Sequence, residues 1–576
     1  MIFEKKFNQK SVKIYLSLLF FGIITFLVSS VQYIPILRFL PDAARGVSRD
    51  YNYSISWSMG FPDLIDMFFH GFSGVNVNGI NTYWGMNPFK LHHSYPGIIV
   101  MFLGISGIFR KNKKPIESFF SIIFFITLII SLGGNTPFFK FFWKLFPYFD
   151  KFRAPELIIF INIFSLVILS LFALKEFDKK SLSFSFYIIL TLGLLILLFP
   201  GFFENIFSKN IIQNFSDNVR NMKLNNLRVC LNNVKIIVLL NLFVISILYF
   251  VITKIKNLKF FFLFIFLSLF QFFEMYYFTK DYIVAVPSPG EYYKSDGIVS
   301  KIREDMDLLR VFPISYGEND FLNLYKIQTI SGIHPSPFYE YQIFVNNRNS
   351  VMFNSQTLFE KKNRIKLLNV KYLITPQIPA DTTGYDENTK NLIILYQNLF
   401  RNMGFEPYYY GGKYMLHRSV DFLPRFFVVD SFVKVKNVDE AIFTIDSVSF
   451  DPRRLATVED ENFSFSGSDE KLVYFIDSIK YTPNMVYLKV KSSKDAMLIF
   501  LDQYYKAWKV KVNERSEKLY KVDGIFRGVK IKKGTNDVIF FFSSTLQIFA
   551  FIISLFGILI VYFVFIIEKR ILLNKN

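Results

Sequence analysis

Asp63, Asp66 and His70 stand at i, i+3 and i+7, a spacing that sets three side chains along one face of a helix. Leu64, Ile65, Phe68 and Phe69 supply much of the opposite face. Two carboxylates and an imidazole so placed would provide a general base or hold a divalent metal. The same pattern also describes an interfacial amphipathic helix whose polar side meets water. The loop Arg38–Ser94 around them is the best-stocked stretch of the chain, with Asp42, Arg45, Arg49, Asp50, Trp84, His92 and His93. His92 and His93 with His70 and Asp66 would make a metal set, but no His-x-x-x-His or paired-cysteine spacing accompanies them. Arg153, near Lys140, Lys144 and Lys151, offers a fork suited to two phosphate oxygens or, alternatively, a basic loop that anchors at headgroups. No Walker loop, G-x-G-x-x-G or G-x-S-x-G occurs, so soluble nucleotide-dependent chemistry has no support.

Something must hold these residues, and the composition says what. A hydrophobic share of 52%, with 73 Phe in 576 residues, is too apolar for an ordinary soluble enzyme and defines a membrane protein. One cysteine, Cys230, excludes an internal disulfide framework. The net charge of +20 would suggest nucleic acid if it were spread over a folded face. Instead, Met1–Lys13, Arg110–Glu117, Lys175–Lys180, Lys254–Lys259 and Glu568–Asn576 hold 17 Lys/Arg against 5 Asp/Glu, and so most of the excess. Basic surplus in short segments beside apolar runs is the positive-inside pattern, and no nucleic-acid partner is expected.

The chain therefore reads as a polytopic α-helical membrane protein of about eight spans. These lie near Ile14–Ile34, Tyr95–Phe109, Ser118–Ser131, Leu157–Leu174, Leu182–Phe203, Ile236–Thr253, Phe260–Phe278 and Leu546–Ile567. With the basic segments on one side, both termini are cytoplasmic. The loops Arg38–Ser94, Leu132–Glu156 and Phe203–Lys235 and the long stretch Thr279–Thr545 then lie outside the cell membrane. The first span, without a small-residue cleavage site, is expected to remain in place. Three parts follow: a membrane domain over 1–279, an extracytoplasmic α+β domain over 280–545 ending in a β-sandwich, and a last span with a basic tail over 546–576.

Within the outer domain, Arg310-Val311-Phe312, residues 370–375, 425–429 and 473–476 are strand-like, and the aromatic-rich Phe338–Lys362 is expected to be helical. Toward its end Trp508, Val510 and Val512 alternate with Lys509 and Lys511, and Val529 and Ile531 alternate with Lys530 and Lys532. Asn513–Ser516, Asp523-Gly524 and Lys533–Asn536 supply turns. Tyr504, Tyr505 and Trp508 present flat rings that suit the C–H face of a sugar; alternation equally allows Tyr504 and Trp508 to pack a sandwich core. Arg527 is placed to pair with Asp502 or Asp523.

This last stretch resembles the C-terminal signature of the YfhO family of bacterial membrane proteins, in which Tyr-Tyr-x-x-Trp-x-Val precedes a hairpin and an Asp-Gly-x-Phe-Arg-Gly-Val strand. The residues that carry it are Tyr504, Tyr505, Trp508, Val510, Val522, Asp523, Gly524, Phe526, Arg527, Gly528 and Val529. Further blocks run backward through Asp451–Arg454, Leu423–Arg425, residues 367–375, Gly332–Pro335, Glu274–Pro287, Phe152–Pro155 and Tyr83–Gly85. The resemblance implies a GT-C-like glycosyltransferase that moves a sugar from a polyprenyl-phosphate carrier to a cell-envelope glycan or polymer. For such chemistry the residues' own types and spacing make Asp63, Asp66 and His70 the catalytic candidates and Trp84, Arg153, Tyr504, Trp508 and Arg527 the candidate substrate contacts, with a divalent metal left open. Family members usually begin with additional spans and an outer loop carrying an acidic residue near the first helix, the catalytic position the resemblance implies, which have no counterpart here. The chain is then either the product of a split or truncated gene, whose missing spans a partner protein would supply, or a reduced descendant. The alternative is a non-catalytic scaffold or binding subunit presenting its β domain to the envelope.

Overall fold

Runs of Phe, Leu and Ile without proline or charge set the helices, and the return of charge, glycine and alternation sets the sheets. The computed structural model describes residues 9–47, 50–77, 79–90, 94–254, 260–316, 320–332, 334, 336–348, 353–378, 386–466 and 470–573. Arg49, His92, His93 and parts of the Met1–Lys13, Lys254–Lys259 and Gly332–Pro335 segments fall outside them. Among the described residues seven helices are long and apolar enough to cross a membrane. The chain divides into two compact units, Ser48–Pro287 and Met1–Val47 with Ser288–Asn576. That division differs from the 1–279, 280–545 and 546–576 partition: the first apolar helix groups with the last one and with the β-rich region.

The unit Ser48–Pro287 is built on helices Pro115–Leu132, Ile159–Lys175, Lys179–Leu198, Asp217–Lys254 and Phe260–Thr279 around a central short one, Ile98–Phe109. The central helix has 12 residues, all buried except Phe109. At 1.5 Å per residue it reaches about 18 Å, less than the ~30 Å of a bilayer core. Burial explains its uniform apolarity: neighbours surround it on every side. Gly104 and Gly107 make one of these contacts possible, because a Cβ on Gly107 would lie 2.5 Å from the backbone oxygen of Leu169. Asn162 Nδ2 donates to Phe124 O at 2.8 Å, and Ser185 Oγ to Phe102 O at 2.5 Å, stitching helix to helix.

Phe203–Lys235, expected as an outer loop, is instead helical almost throughout, in Pro200–Asn214 and the first turns of Asp217–Lys254. Its apolar residues recur at helical spacing: Phe203, Phe207 and Ile211 are buried on one helix, and Leu227, Leu231 and Val234 on the next. Polar residues between them hide this period in a hydropathy average.

In the other unit, helices Gln9–Phe39 and Thr545–Leu573 pack together. Ser30 Oγ donates to Ala550 O at 3.1 Å, and Gly557 allows close approach to Leu27 and Val28. The described residues between 288 and 543 form three sheets. A four-stranded mixed sheet runs in the order Arg310–Pro313, Val370–Pro376, Tyr414–Ser419, Phe405–Gly411. A six-stranded sheet is centred on Phe526–Ile531 and Tyr520–Val522, with Ala496–Phe500 beside the first of them. A five-stranded antiparallel sheet is centred on Gly534–Phe542, with Met485–Ser492 and Trp508–Val512 on either side.

The last two sheets share one core, in which Leu498, Phe500, Val529 and Ile531 meet Leu488, Val510, Val512 and Phe540. Met497 and Ile499, on the opposite face of their strand, join a second core with the helix Val438–Ile445. Ala496–Phe500 is thus covered on both faces, which accounts for its unbroken apolar run. The turns hold where they were expected: Asn513 and Glu514, then Asp523 and Gly524, all have left-handed φ, between 45° and 79°. Phe338–Lys362 is not one helix. Its described residues form the short helix Tyr339–Phe344 and a single turn, Ser355–Leu358, while Phe353 and Phe359 pack individually against the second core.

Candidate functional site: a buried carboxylate cluster

In the helical unit the helix holding the two aspartates is short, Phe61–Asp66, so His70 falls beyond it and the expected i, i+3, i+7 face does not form. Gly60 caps this helix, and Asp63 Oδ2 accepts from the Gly60 amide at 3.2 Å. The same oxygen accepts from the Tyr83 hydroxyl at 3.1 Å. Asp66 Oδ1 accepts from the Ser73 amide at 3.3 Å, and its Oδ2 lies 2.5 Å from Lys90 Nζ. Lys90 also donates to Ser73 Oγ at 2.7 Å and stands 3.8 Å from Asp63 Oδ1. Asp63 and Asp66 are each 0% exposed, so the pair faces the interior of the unit, not water.

Two further ionisable side chains close the cluster. Glu156, also buried, receives Asn87 Nδ2 at 3.4 Å. Lys223 Nζ donates to Gly85 O at 2.6 Å and Asn87 O at 3.1 Å and lies over the Tyr83 ring. Burial alone would lower the Lys90 ammonium, but the Asp66 and Asp63 carboxylates outweigh it and hold the group above the ordinary lysine range. Burial, reinforced by Asp63 and Glu156, raises the Tyr83 phenol. Two carboxyl groups beside a lysine can accept a proton or orient a hydroxyl. No group of three or more His, Cys, Asp or Glu side chains among the described residues is arranged to hold a metal.

His70 packs against Phe278, with ring centroids 4.4 Å apart, and Tyr95, at 5.9 Å. Burial, with Lys90 adding to it, pushes its imidazole down to about 3, too weakly basic for general-base work near neutrality. Trp84 is 1% exposed; its indole N–H donates to Phe72 O at 2.8 Å and its ring meets Phe72 and Phe207. It is a core residue without an open face for a substrate. Arg153 is exposed, 5.9 Å from the Tyr53 ring, with no carboxylate in ion-pair distance among the described residues.

The other three candidates lie in the second unit. Arg527 is buried between rings, 3.8 Å from Trp508 and 4.9 Å from Phe500, and its Nε donates to Gln503 O at 3.0 Å. Trp508 edges the sandwich core, as alternation allowed. Asp502 interacts electrostatically with Arg527, but its direct partners are Arg310 at 2.5 Å, Arg425 at 2.7 Å and the Tyr481 hydroxyl at 2.7 Å. Burial would raise Asp502; the three arginines outweigh it and hold it below the usual carboxylate range. The cluster joins all three sheets, a structural role for Arg527. Asp523 instead accepts from the Thr457 amide at 2.8 Å. Tyr504 precedes its strand, escapes the alternation and lines a surface cleft.

Lys90, Tyr83, Glu156 and Lys223 were not singled out as site residues by sequence. Lys223 left a signal, since it lies four residues before Leu227 on the buried stripe of its helix. Lys90, in an irregular segment, left none. No protein-family model, curated protein or solved structure matches the chain.

Proposed function

We propose that the chain is a GT-C-like membrane glycosyltransferase of the YfhO type, transferring a sugar from a polyprenyl-phosphate carrier to an extracytoplasmic envelope glycan or polymer. Seven long apolar helices among the described residues support the membrane setting. The basic segments favour cytoplasmic termini with the β-rich region outside, a topology in which the short helix Ile98–Phe109 counts as an eighth crossing. The observation that carries the chemistry is the Asp63–Asp66 pair beside Lys90. Asp63 is the candidate base for the acceptor hydroxyl, and Lys90 and the exposed Arg153 are candidate partners for phosphate oxygens. A divalent metal is not required by this reading.

The second reading, a non-catalytic scaffold partnering a protein with further spans, draws on the full burial of the same cluster, which is what an internal structural network looks like. One assay separates them. The purified full chain in proteoliposomes, given a radiolabelled polyprenyl-phosphate sugar and envelope polymer, transfers label under the first reading. Label that stays on the carrier, with or without co-purified partner proteins, sinks it.

A further inference from the structure

In the unit formed by Met1–Val47 with Ser288–Asn576, five separate stretches of chain converge on a cleft of about 410 Å3. They are the turn after the first apolar helix, with Pro41 and Asp42, and the segments 338–340, 459–460, 504–506 and 518–521. The volume falls within the ~300–1,000 Å3 of small-molecule sites. Unlike ordinary apolar pockets, its lining pairs flat rings with charges.

Tyr339 and Tyr504 both line it and are half-buried: Tyr339 also packs against the second core, and the Tyr504 phenol lies in the field of Lys521, Lys518, Glu459 and Glu340, while among the described residues no other ring stacks on either. Tyr505, by contrast, is fixed by packing: it stacks on Phe542 and meets Phe39 and Phe338 edge-on. The charged groups are held in place by one another. Lys521 bridges Glu340 and Glu459, the latter at 2.8 Å; Lys518 pairs with Asp460 at 2.7 Å and Lys506 with Asp42 at 2.8 Å. These pairs remain partly exposed, with Glu340 39% and Glu459 28% open at the side chain.

Half-buried aromatic rings beside partly exposed carboxylates and ammoniums match one ligand chemistry in particular. A pyranose offers an apolar C–H face to a ring and a rim of hydroxyls that both donate to carboxylates and accept from lysines. A lipid tail would leave these charged pairs facing apolar groups, and a polyanion would meet four carboxylates. We propose that this cleft is a saccharide-binding subsite, seating a pyranose on Tyr504 and Tyr339 with its hydroxyls on Glu340, Glu459 and Lys521. The proposal deepens the glycosyl-transfer reading and rests on it for the membrane setting. Because the cleft begins where the first apolar helix ends, a sugar on a membrane-anchored carrier and a sugar of a free glycan are both chemically suitable occupants.

The test is binding, not turnover. The full chain in nanodiscs is titrated with N-acetylglucosamine, glucose and their β-1,4-linked disaccharides, and with a polyprenyl-phosphate sugar incorporated in the disc, followed by saturation-transfer NMR. Binding of at least one of these sugars is expected; Tyr504→Ala and Tyr339→Ala each weaken it about tenfold, while Tyr504→Phe retains it. Glu340→Gln, which keeps shape at a partly exposed position, also weakens it. Loss with alanine but not phenylalanine is the signature of ring stacking. Preference for the lipid-linked probe names the donor as occupant, and preference for the free disaccharides names the acceptor. No binding of any of these sugars by the wild-type chain, or equal binding in Tyr504→Ala, Tyr339→Ala and Glu340→Gln, overturns the proposal. Sugar binding at this cleft without any transfer overturns the enzyme reading alone.

Discussion

The two charged sites use the same residue types and differ in what surrounds them. In the helical unit Asp63, Asp66, Lys90 and Tyr83 are sealed, and their charges and hydroxyl are committed to one another and to nearby amides. In the tyrosine cleft Asp42, Lys506, Glu340 and Lys521 make pairs of similar length but remain partly wet. Coulomb attraction in a dry interior is large and so is the cost of leaving one partner alone; at the surface both shrink. The buried cluster is therefore a fixed structure that chemistry must use as it stands, whereas the cleft's groups are free to trade partners for a ligand.

The largest expected effect breaks the buried side of this contrast. Lys90→Met leaves Asp66 without its cation and costs about 3–5 kcal/mol, seen as loss of the folded monomer in detergent by fluorescence-detected gel filtration. A Tm within a degree or two of wild type would place the cluster in a wetter setting than argued.

Asp523 sharpens the contrast, because it is a buried carboxylate with no cation beside it among the described residues. Burial raises it to about 7, with the Thr457 amide and hydroxyl only partly opposing this. A folded-state value above the unfolded one favours the native state fully below about pH 4, and the contribution is lost as pH rises through 7. Asp523→Asn keeps the acceptor for Thr457 and suits the left-handed φ before Gly524. The variant gains stability over wild type between pH 4 and 8, by at most about 4 kcal/mol for the three pKa units involved. A pH-independent difference between the two in chemical denaturation would remove that assignment.

A smaller effect tests the packing of the central helix in the unit that holds the buried cluster. Gly107→Ala forces a methyl against the Leu169 backbone and costs about 1–3 kcal/mol, read as a lowered Tm. The smallest is expected at the cleft: Lys506→Ala breaks the half-exposed pair with Asp42 at a cost of about 0–1 kcal/mol. If Lys506→Ala proved as damaging as Lys90→Met, the distinction between the two sites would fall.

What was legible in the sequence follows the range of the forces involved. Strand alternation around Val510 and Val529, the Asn513-Glu514 and Asp523-Gly524 turns and the apolar helices depend on neighbours along the chain, and they stand where the sequence placed them. The pairing of the first and last apolar helices joins residues more than 500 apart, and no local pattern announces it. Asp63 and Asp66 were visible as a pair, but their burial depends on Tyr83 and Lys90 returning from an irregular segment. Trp84 and Arg527 illustrate the converse: side chains suited to ligands, whose rings and charges are used up by the core. Phe338–Lys362 misled because its aromatic residues anchor one by one instead of forming a helical stripe.

The most direct test pairs stability with transfer in a single variant. Asp63→Asn keeps both hydrogen-bond partners of Oδ2 within reach and leaves Lys90 on Asp66. It removes the proposed base while sparing the closest ion pair. Measured side by side in proteoliposomes at equal folded amounts, the account predicts a Tm near wild type and a fall in sugar transfer of about 10²–10⁴-fold. Transfer by the Asp63→Asn variant at the wild-type rate would contradict it and leave the cluster as scaffolding alone.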